Sequence, residues 1–170
     1  MAFRIQNPKV EGIGTIDCDL LWWYIDVAVE VLVKQHGGTR GGGFFNLRDP
    51  NGKTIFENPF RSPAAAKADK YQRLAGEKTS RLGHHPEHIL SWQSKNEALE
   101  QYQGAACAPN GMLGGFSGFT AEEDEALVLW VFIKMGWMTG KQAYAAAQIS
   151  SNSRWMVLSQ MFDLAEETAD

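Results

Sequence analysis

Histidine and carboxylate side chains can hold a metal ion or move a proton, and this chain has them together in one short segment. Three of its four histidines, His84, His85 and His88, lie beside Glu87. Three imidazoles and a carboxylate within five residues offer ligands to a transition metal. However, Pro86 places His84 ahead of any helix that begins here, and no second histidine or cysteine cluster elsewhere completes a ligand set. The sequence therefore predicts a surface loop rather than a metal site.

A second group of reactive residue types lies between residues 115 and 124. Ser117 precedes Gly118, but the first glycine of a nucleophile elbow is missing, and no Ser-His-Asp triad can be assembled from the sequence. Asp124 could act as a general base. It also lies in the first turn of a predicted helix, where carboxylates ordinarily act as capping groups. Both interpretations of Asp124 stay open.

A strand and a helix would have to position these side chains. Residues 112–119 form a short apolar run rich in glycine, which is typical of a buried strand with close backbone contacts. Thr120 and Glu123 have the spacing of a capping box, so a helix is predicted to begin at Thr120. Leu127, Trp130 and the residues around them continue it at helical spacing.

Gly115-Phe116-Ser117-Gly118, followed by Thr-Ala-Glu-Glu-Asp-Glu-Ala from Thr120, resembles the signature of the HbpS/GlcG-like family. These are small proteins described as heme-binding or heme-degrading, and the family includes the C-terminal domain of some cobalamin adenosyltransferases. The resemblance extends over residues 15–135, where the order of helices, strands and turns agrees. It implies a profilin/PAS-like α/β sandwich: one mixed or antiparallel sheet of four or five strands with helices packed on it.

Two hairpins and several helices are predicted along the chain. Hairpins are expected over residues 39–60, with the turn at 49–52, and over 104–117, where Asn-Gly is a strong hairpin signal. Helices are expected over residues 15–36, from 62 onward, over 87–103 and from 120, and again over 139–149 and 151–167. We predict one domain. Residues 1–137 form its family-like part, and residues 138–170 form a helical extension that makes a subunit contact, forms a lid or packs within the chain.

The helix after residue 62 corresponds to an alanine-rich family helix with a central lysine. Lys70 or Lys67 can be aligned with that lysine, and the sequence leaves the choice open. Arg73, Lys78 and Arg81 give the helix a basic face, which is interpreted as solvated or as a contact for heme propionates.

Composition and charge limit the classes of partner that this protein is expected to bind. The 170 residues are 44% hydrophobic and carry a net charge of −4, which fits one domain with a core and argues against a nucleic-acid partner. The two cysteines are expected to be free thiols. The sequence begins without the apolar core of a signal peptide and contains no apolar run of about 18 residues. We therefore expect a cytoplasmic protein with no membrane partner.

The resemblance implies a binding protein for heme or another planar tetrapyrrole that acts as a homo-oligomer. The residues predicted for this site are an axial histidine, first His36 and then His84 or His85, and the glycine-turn residues Gly115, Ser117 and Gly118. Adjacent tryptophans at positions 22 and 23 cannot both face the core, so one is expected at an interface or a ligand pocket. The alternative is an enzyme that acts on a small organic acid or aromatic molecule beside the glycine turn, with Asp124 as its base.

Overall fold

A four-stranded antiparallel sheet with helices on both faces forms the body of the protein. The computed structural model describes residues 7–38 and 40–169. The strands are β1 (Lys9–Val10), β2 (Gly14–Thr15), β3 (Gly43–Arg48), β4 (Thr54–Phe60), β5 (Ala105–Cys107) and β6 (Leu113–Ser117). The helices are α1 (Cys18–Gln35), α2 (Ala65–Gly83), α3 (Ala121–Lys134), α4 (Gly140–Ile149) and α5 (Trp155–Thr168). The strand order is β4-β3-β6-β5, and β1 pairs with β2 in a small separate sheet. The predicted α/β sandwich is confirmed.

Both predicted hairpins are present. In the first, Asp49 Oδ1 accepts hydrogen bonds from the amides of Asn51 and Lys53 at 2.9 and 3.0 Å. Gly52 follows with a φ of +84°, a conformation that glycine adopts without steric cost. In the second hairpin, the amide of Met112 donates to Asn110 Oδ1 at 3.1 Å. Side-chain hydrogen bonds and glycine conformations in the turns therefore stabilise the pairing of the two strands in each hairpin.

Glycines of β6 allow the helices to approach the sheet from both sides. A Cβ on Gly115 would overlap the hydroxyl of Thr79 in α2, whereas a Cβ on Gly114 would lie 2.9 Å from the ring of Phe132 in α3. Because successive strand residues face opposite ways, α2 and α3 lie on opposite faces of the sheet. Helix α1 packs beside α3, and α5 packs against both of them.

The predicted helix over residues 87–103 is wrong. This segment contains two short 3₁₀ helices, Ser91–Ser94 and Glu97–Leu99. Arg81 of α2 holds the segment in this form, because its guanidinium donates to the carbonyl oxygens of Ser91 and Tyr102 at 2.8 and 2.6 Å. These tertiary hydrogen bonds outweigh local helix propensity.

Two helices begin later than predicted. Thr15 lies in β2, and the N-cap of α1 is Asp17, whose Oδ1 accepts from the amide of Leu20 at 3.0 Å. Helix α2 begins at Ala65 instead of near residue 62. Ser62 has a φ of +46°, so it belongs to the turn that precedes the helix.

Residues 138–169 pack onto the rest of the chain. Trp130 of α3 is 1% exposed, because Phe162 of α5 lies against it with ring centroids 5.4 Å apart. The indole Nε1 donates to Asp163 Oδ1 at 2.9 Å. The sequence left a subunit contact, a lid and packing within the chain as interpretations of this extension. Its inner face packs within the chain. Across the described residues, every helix is too short or too polar to cross a membrane.

Candidate functional site

Three consecutive carboxylates are buried where α3 begins. Thr120 caps the helix: its hydroxyl accepts from the amide of Glu123 at 3.3 Å, and the Glu123 carboxylate accepts from the amide of Thr120 at 3.1 Å. The predicted capping box is thereby confirmed. Glu123, Asp124 and Glu125 are 4%, 3% and 0% exposed. Each of them needs partners, because an unpaired buried charge is costly.

Asp124 is paired with Lys78 of α2, which is 2% exposed. Lys78 Nζ lies 3.7 Å from Asp124 Oδ2 and donates to the carbonyl oxygens of Phe116 and Gln103 at 2.8 and 3.0 Å. Asp124 Oδ1 accepts from the amide of Phe119 at 3.0 Å. Burial raises the pKa of Asp124 to about 7, against the opposing charge of Lys78. Burial likewise lowers the pKa of Lys78.

This buried pair joins α2 to α3. Desolvation disfavours the charged form of both groups, so their pKa values move toward each other. A general base must come within hydrogen-bond distance of the proton that it removes. The carboxylate of Asp124 is enclosed by Lys78 and the backbone of Phe119, and it does not line any of the three cavities described below.

His36, which ends α1, is bonded to Glu123. The distance from His36 Nε2 to Glu123 Oε1 is 2.9 Å, and the imidazole stacks on the ring of Phe119 at 5.6 Å between centroids. Burial raises the pKa of Glu123, but hydrogen bonds from His36 and Thr120 outweigh this effect and lower it below its usual value. One imidazole nitrogen of His36 is thus occupied in linking α1 to α3.

Glu125 is bonded to the connection between α4 and α5. Its Oε2 accepts from Ser150 Oγ at 2.6 Å and from Asn152 Nδ2 at 2.7 Å. Burial raises the pKa of Glu125, against these hydrogen bonds and a contact with Gln103. Within residues 7–38 and 40–169, Glu125 Oε1 and Gln103 Nε2 have no hydrogen-bond partner.

The predicted glycine-turn residues are packed inside the protein. A Cβ on Gly118 would lie 2.7 Å from Cα of Gly43, and Ser117, which is 4% exposed, pairs with Phe44 of β3. Gly115 meets α2, as described above. The expectation of close backbone approach at these glycines is confirmed.

The structure brings two of the three clustered histidines together around Glu87. Glu87 Oε1 lies 3.4 Å from His85 Nδ1 and 3.5 Å from His88 Nε2. The rings of His85 and His88 stack with centroids 4.5 Å apart. His84 faces another partner, since its Nδ1 lies 2.8 Å from the carbonyl oxygen of Ser80.

A mostly apolar cavity of about 520 Å³ opens beside this cluster, between α4 and the segments 86–89 and 107–111. We call it the apolar pocket. Its walls include Ile89, Met138, Ala145, Ala146 and Ile149, and its polar lining residues are Glu87, His88 and Gln142. Both the volume and the lining are typical of small-molecule sites.

The cavities beside His36 and His84, the other predicted axial ligands, differ from the apolar pocket in lining or in size. His36 lines a polar cleft of about 600 Å³ with Glu122, Glu123 and Arg154. His84 borders a cavity of about 210 Å³, which is smaller than most ligand pockets. A porphyrin needs apolar walls, and neither cavity provides them to the extent that the apolar pocket does.

The aromatic and basic residues expected around a heme at His36 are elsewhere. Trp22 and His36 are fourteen positions apart on α1, or about 21 Å along a helix. Trp22 packs against Phe60 in a tilted arrangement, with ring centroids 5.6 Å apart. Arg73 Nη1 lies 3.1 Å from Glu100 Oε2. The guanidinium of Arg81 is hydrogen-bonded to the segment that follows α2. The heme surroundings predicted for His36 are therefore not assembled in this structure.

Comparison of the chain with family models, with curated proteins and with solved structures finds no match. The resemblance to the HbpS/GlcG-like family accordingly stays a prediction.

The prediction that Lys78 belongs to a basic face, either solvated or in contact with heme propionates, is wrong, because Lys78 is buried against Asp124. Sequence reasoning missed Glu125 and the apolar pocket. A signal for Lys78 exists, because Leu74, Lys78 and Leu82 are spaced four apart and the two leucines are buried. That spacing places Lys78 on the inner face of α2. It is the buried lysine of this helix, whereas Lys67 and Lys70 are exposed.

Proposed function

We propose that this protein binds a small, planar, largely apolar molecule in the apolar pocket, with tetrapyrroles such as heme as the first class to test. The observation that supports this is an apolar cavity of about 520 Å³ with the imidazole of His88 in its lining. Ligand sites combine apolar walls with a few polar groups that fix orientation. Imidazole is a common axial ligand of heme iron, so His88 is the residue that would hold it.

The geometry favours a binding protein over the enzyme that uses Asp124 as a base. Asp124 is 3% exposed and already pairs with Lys78, whereas the apolar pocket is open to a ligand. His36 and His84 are weaker candidates than His88, because their imidazoles make hydrogen bonds of 2.9 and 2.8 Å to Glu123 and Ser80. The contact of His88 with Glu87 is longer, at 3.5 Å.

Filling the pocket tests this proposal. Ala145 is exposed on α4 and lines the apolar pocket, so Ala145→Trp should occupy the cavity without disturbing the core. We expect saturable hemin binding with a Soret band for the intact chain. Ala145→Trp should weaken that binding at least tenfold, as measured by absorbance titration.

Three variants control this experiment. Gln148→Trp adds the same bulk at an exposed position of α4 outside the pocket, and it should bind hemin as the unmodified chain does. His36→Ala and His84→Ala should also retain binding. Equal affinity in Ala145→Trp and Gln148→Trp would contradict the proposal, and loss in His36→Ala alone would move the site to the polar cleft.

We also propose that the protein acts as a homo-oligomer. Met156, Val157 and Leu164 of α5 are 53%, 52% and 62% exposed. Met156 and Val157 are adjacent on the helix, and Leu164 lies about two turns further along it. Clustered exposed apolar side chains are typical of contact surfaces.

A further inference from the structure

The segment after α2 brings three metal-binding atoms to one point. The donor atoms of His85, Glu87 and His88 all lie within 4.8 Å of one another. Two of the separations, 3.4 and 3.5 Å, are already short. In a tetrahedral site with bonds of about 2.0–2.1 Å, neighbouring ligand atoms are about 3.3 Å apart. A cation could therefore be held here with small side-chain rotations.

The backbone around these side chains is fixed. The amide of His85 donates to the carbonyl oxygen of Leu82 at 3.0 Å, and the amide of His88 donates to that of His85 at 2.9 Å. The amide of Cys107 in β5 donates to Ile89 at 2.8 Å, which ties the segment to the sheet. The donors are thus presented by a turn that is anchored at both ends.

The ring of His88 is suitably placed to be a ligand. Its Nε2 is the atom that approaches Glu87, at 3.5 Å from Oε1. Stacking on His85, with 11° between the ring planes, holds both imidazoles beside the same carboxylate oxygen. A bound cation would replace the present close contacts with coordination bonds.

We propose that His85, Glu87 and His88 form a binding site for a divalent transition-metal ion. Two imidazoles and one carboxylate suit borderline ions such as Zn²⁺ or Co²⁺, whereas Mg²⁺ and Ca²⁺ prefer sets of oxygen ligands. Three protein ligands leave a fourth position for water or another molecule. Because Glu87 and His88 also line the apolar pocket, a molecule bound there would lie next to the metal.

The test is a titration of the intact, untagged chain with CoCl₂, followed by visible absorbance, and with ZnCl₂, followed by calorimetry. We expect one ion per chain and an absorption band of tetrahedral Co²⁺. His85→Ala, Glu87→Gln and His88→Ala should each weaken Zn²⁺ binding at least tenfold. His84→Ala removes a neighbouring histidine that contacts Ser80 and should change the affinity by less than twofold.

Two results would overturn the site: no Zn²⁺ binding by the unmodified chain at millimolar concentration, or equal affinity in Glu87→Gln and the unmodified chain. Glu87 is exposed, so Glu87→Gln is expected to fold, and circular dichroism checks this. The site shares His88 with the proposed function, so a variant that acts on the pocket alone is needed to separate the two proposals. Ala145→Trp should block hemin and leave Co²⁺ binding intact, so the failure of one proposal is distinguishable from the failure of the other.

Discussion

At the scale of single residues, the notable feature is the burial of Lys78 and Asp124 against each other. Isolated charges in a protein interior are strongly disfavoured, and a pair is tolerated when hydrogen bonds satisfy its remaining atoms. Two carbonyl oxygens accept from Lys78, and the amide of Phe119 donates to Asp124. A Cβ on Gly104 would lie 2.6 Å from Lys78 Nζ, so glycine at this position leaves room for the ammonium group.

Asp124 should make stability depend on pH in a direction opposite to that of most carboxylates. Its pKa is about 7 in the folded protein, compared with 3.8 for an unperturbed aspartate. The folded state therefore binds more protons than the unfolded state between these values. Its stabilising contribution is complete below pH 3.8 and is lost as the pH rises through 7, with a slope of up to about 1.4 kcal/mol per pH unit.

Asp124→Asn should remove this dependence, because asparagine does not titrate. The free energy of unfolding of the unmodified chain, minus that of Asp124→Asn, is expected to fall between about pH 4 and 7. Urea denaturation at several pH values measures it. Asp69→Asn, at an exposed position of α2, is the control and should give a flat difference. A flat difference for Asp124→Asn as well would contradict the raised pKa.

At the scale of elements, the beginning of α3 is the point where the fold is tied together. Glu123 bonds to His36 at the end of α1, Asp124 pairs with Lys78 of α2, and Glu125 bonds to the residues between α4 and α5. Three successive carboxylates thus connect α3 to three other parts of the chain. Their side chains point in different directions because helix residues advance by about 100° each.

The crossing of β6 and α2 should tolerate no side chain at Gly115. A Cβ there would overlap Thr79 Oγ1 and lie 3.1 Å from the carbonyl oxygen of Ala75. Gly115→Val is therefore expected to lower the free energy of unfolding by about 1–3 kcal/mol, as overpacking of a well-packed core does. Thermal denaturation measures this.

The matched control for that substitution is Gly140→Val. No atom lies within 4 Å of a Cβ at Gly140, so its melting temperature should fall much less. Gly140 lies in the first turn of α4, where valine has a better helix propensity than glycine by a few tenths of a kcal/mol, roughly 0.3. An unchanged melting temperature in Gly115→Val would show that α2 can move away from the sheet.

At the scale of the whole molecule, residues 138–169 do more than extend the sandwich. Trp155, Leu158 and Phe162 are buried in the same core as α1 and α3, and α4 forms one wall of the apolar pocket. On the outer side of α5, Met156, Val157 and Leu164 are exposed. The proposed ligand and the proposed subunit contact would therefore use different helices of the extension.

Assembly through α5 can be tested by adding charge to its outer face. The double substitution Met156→Glu and Leu164→Glu should shift the oligomer toward monomer, because carboxylates are depleted from interface cores. Light scattering measures the mass. Leu99→Glu places the same charge on a side chain that is 66% exposed in a different segment, and it should leave the mass unchanged. A monomeric unmodified chain would refute the proposed oligomer.

Features that depend on neighbours within a few positions could be predicted from the amino-acid sequence. The capping boxes of α3 and α4 bring together residues three apart, as between Thr139 and Gln142. The two hairpin turns depend on asparagine, aspartate and glycine in adjacent positions. The glycines of β6 predicted that another segment lies close to this strand, because glycine has no side chain to fill the space between them.

Tertiary structure decided which groups meet across the chain. Lys78 and Asp124 come from different helices, and their pairing and pKa values follow from burial that no local pattern fixes. The conformation of residues 87–103 also depends on a distant residue, because Arg81 donates hydrogen bonds to carbonyl oxygens that a helix would have used internally. The apolar pocket exists because α4 packs opposite two loops. Long-range packing therefore moved the best-supported site from the glycine turn and His36 to His88 and its surroundings.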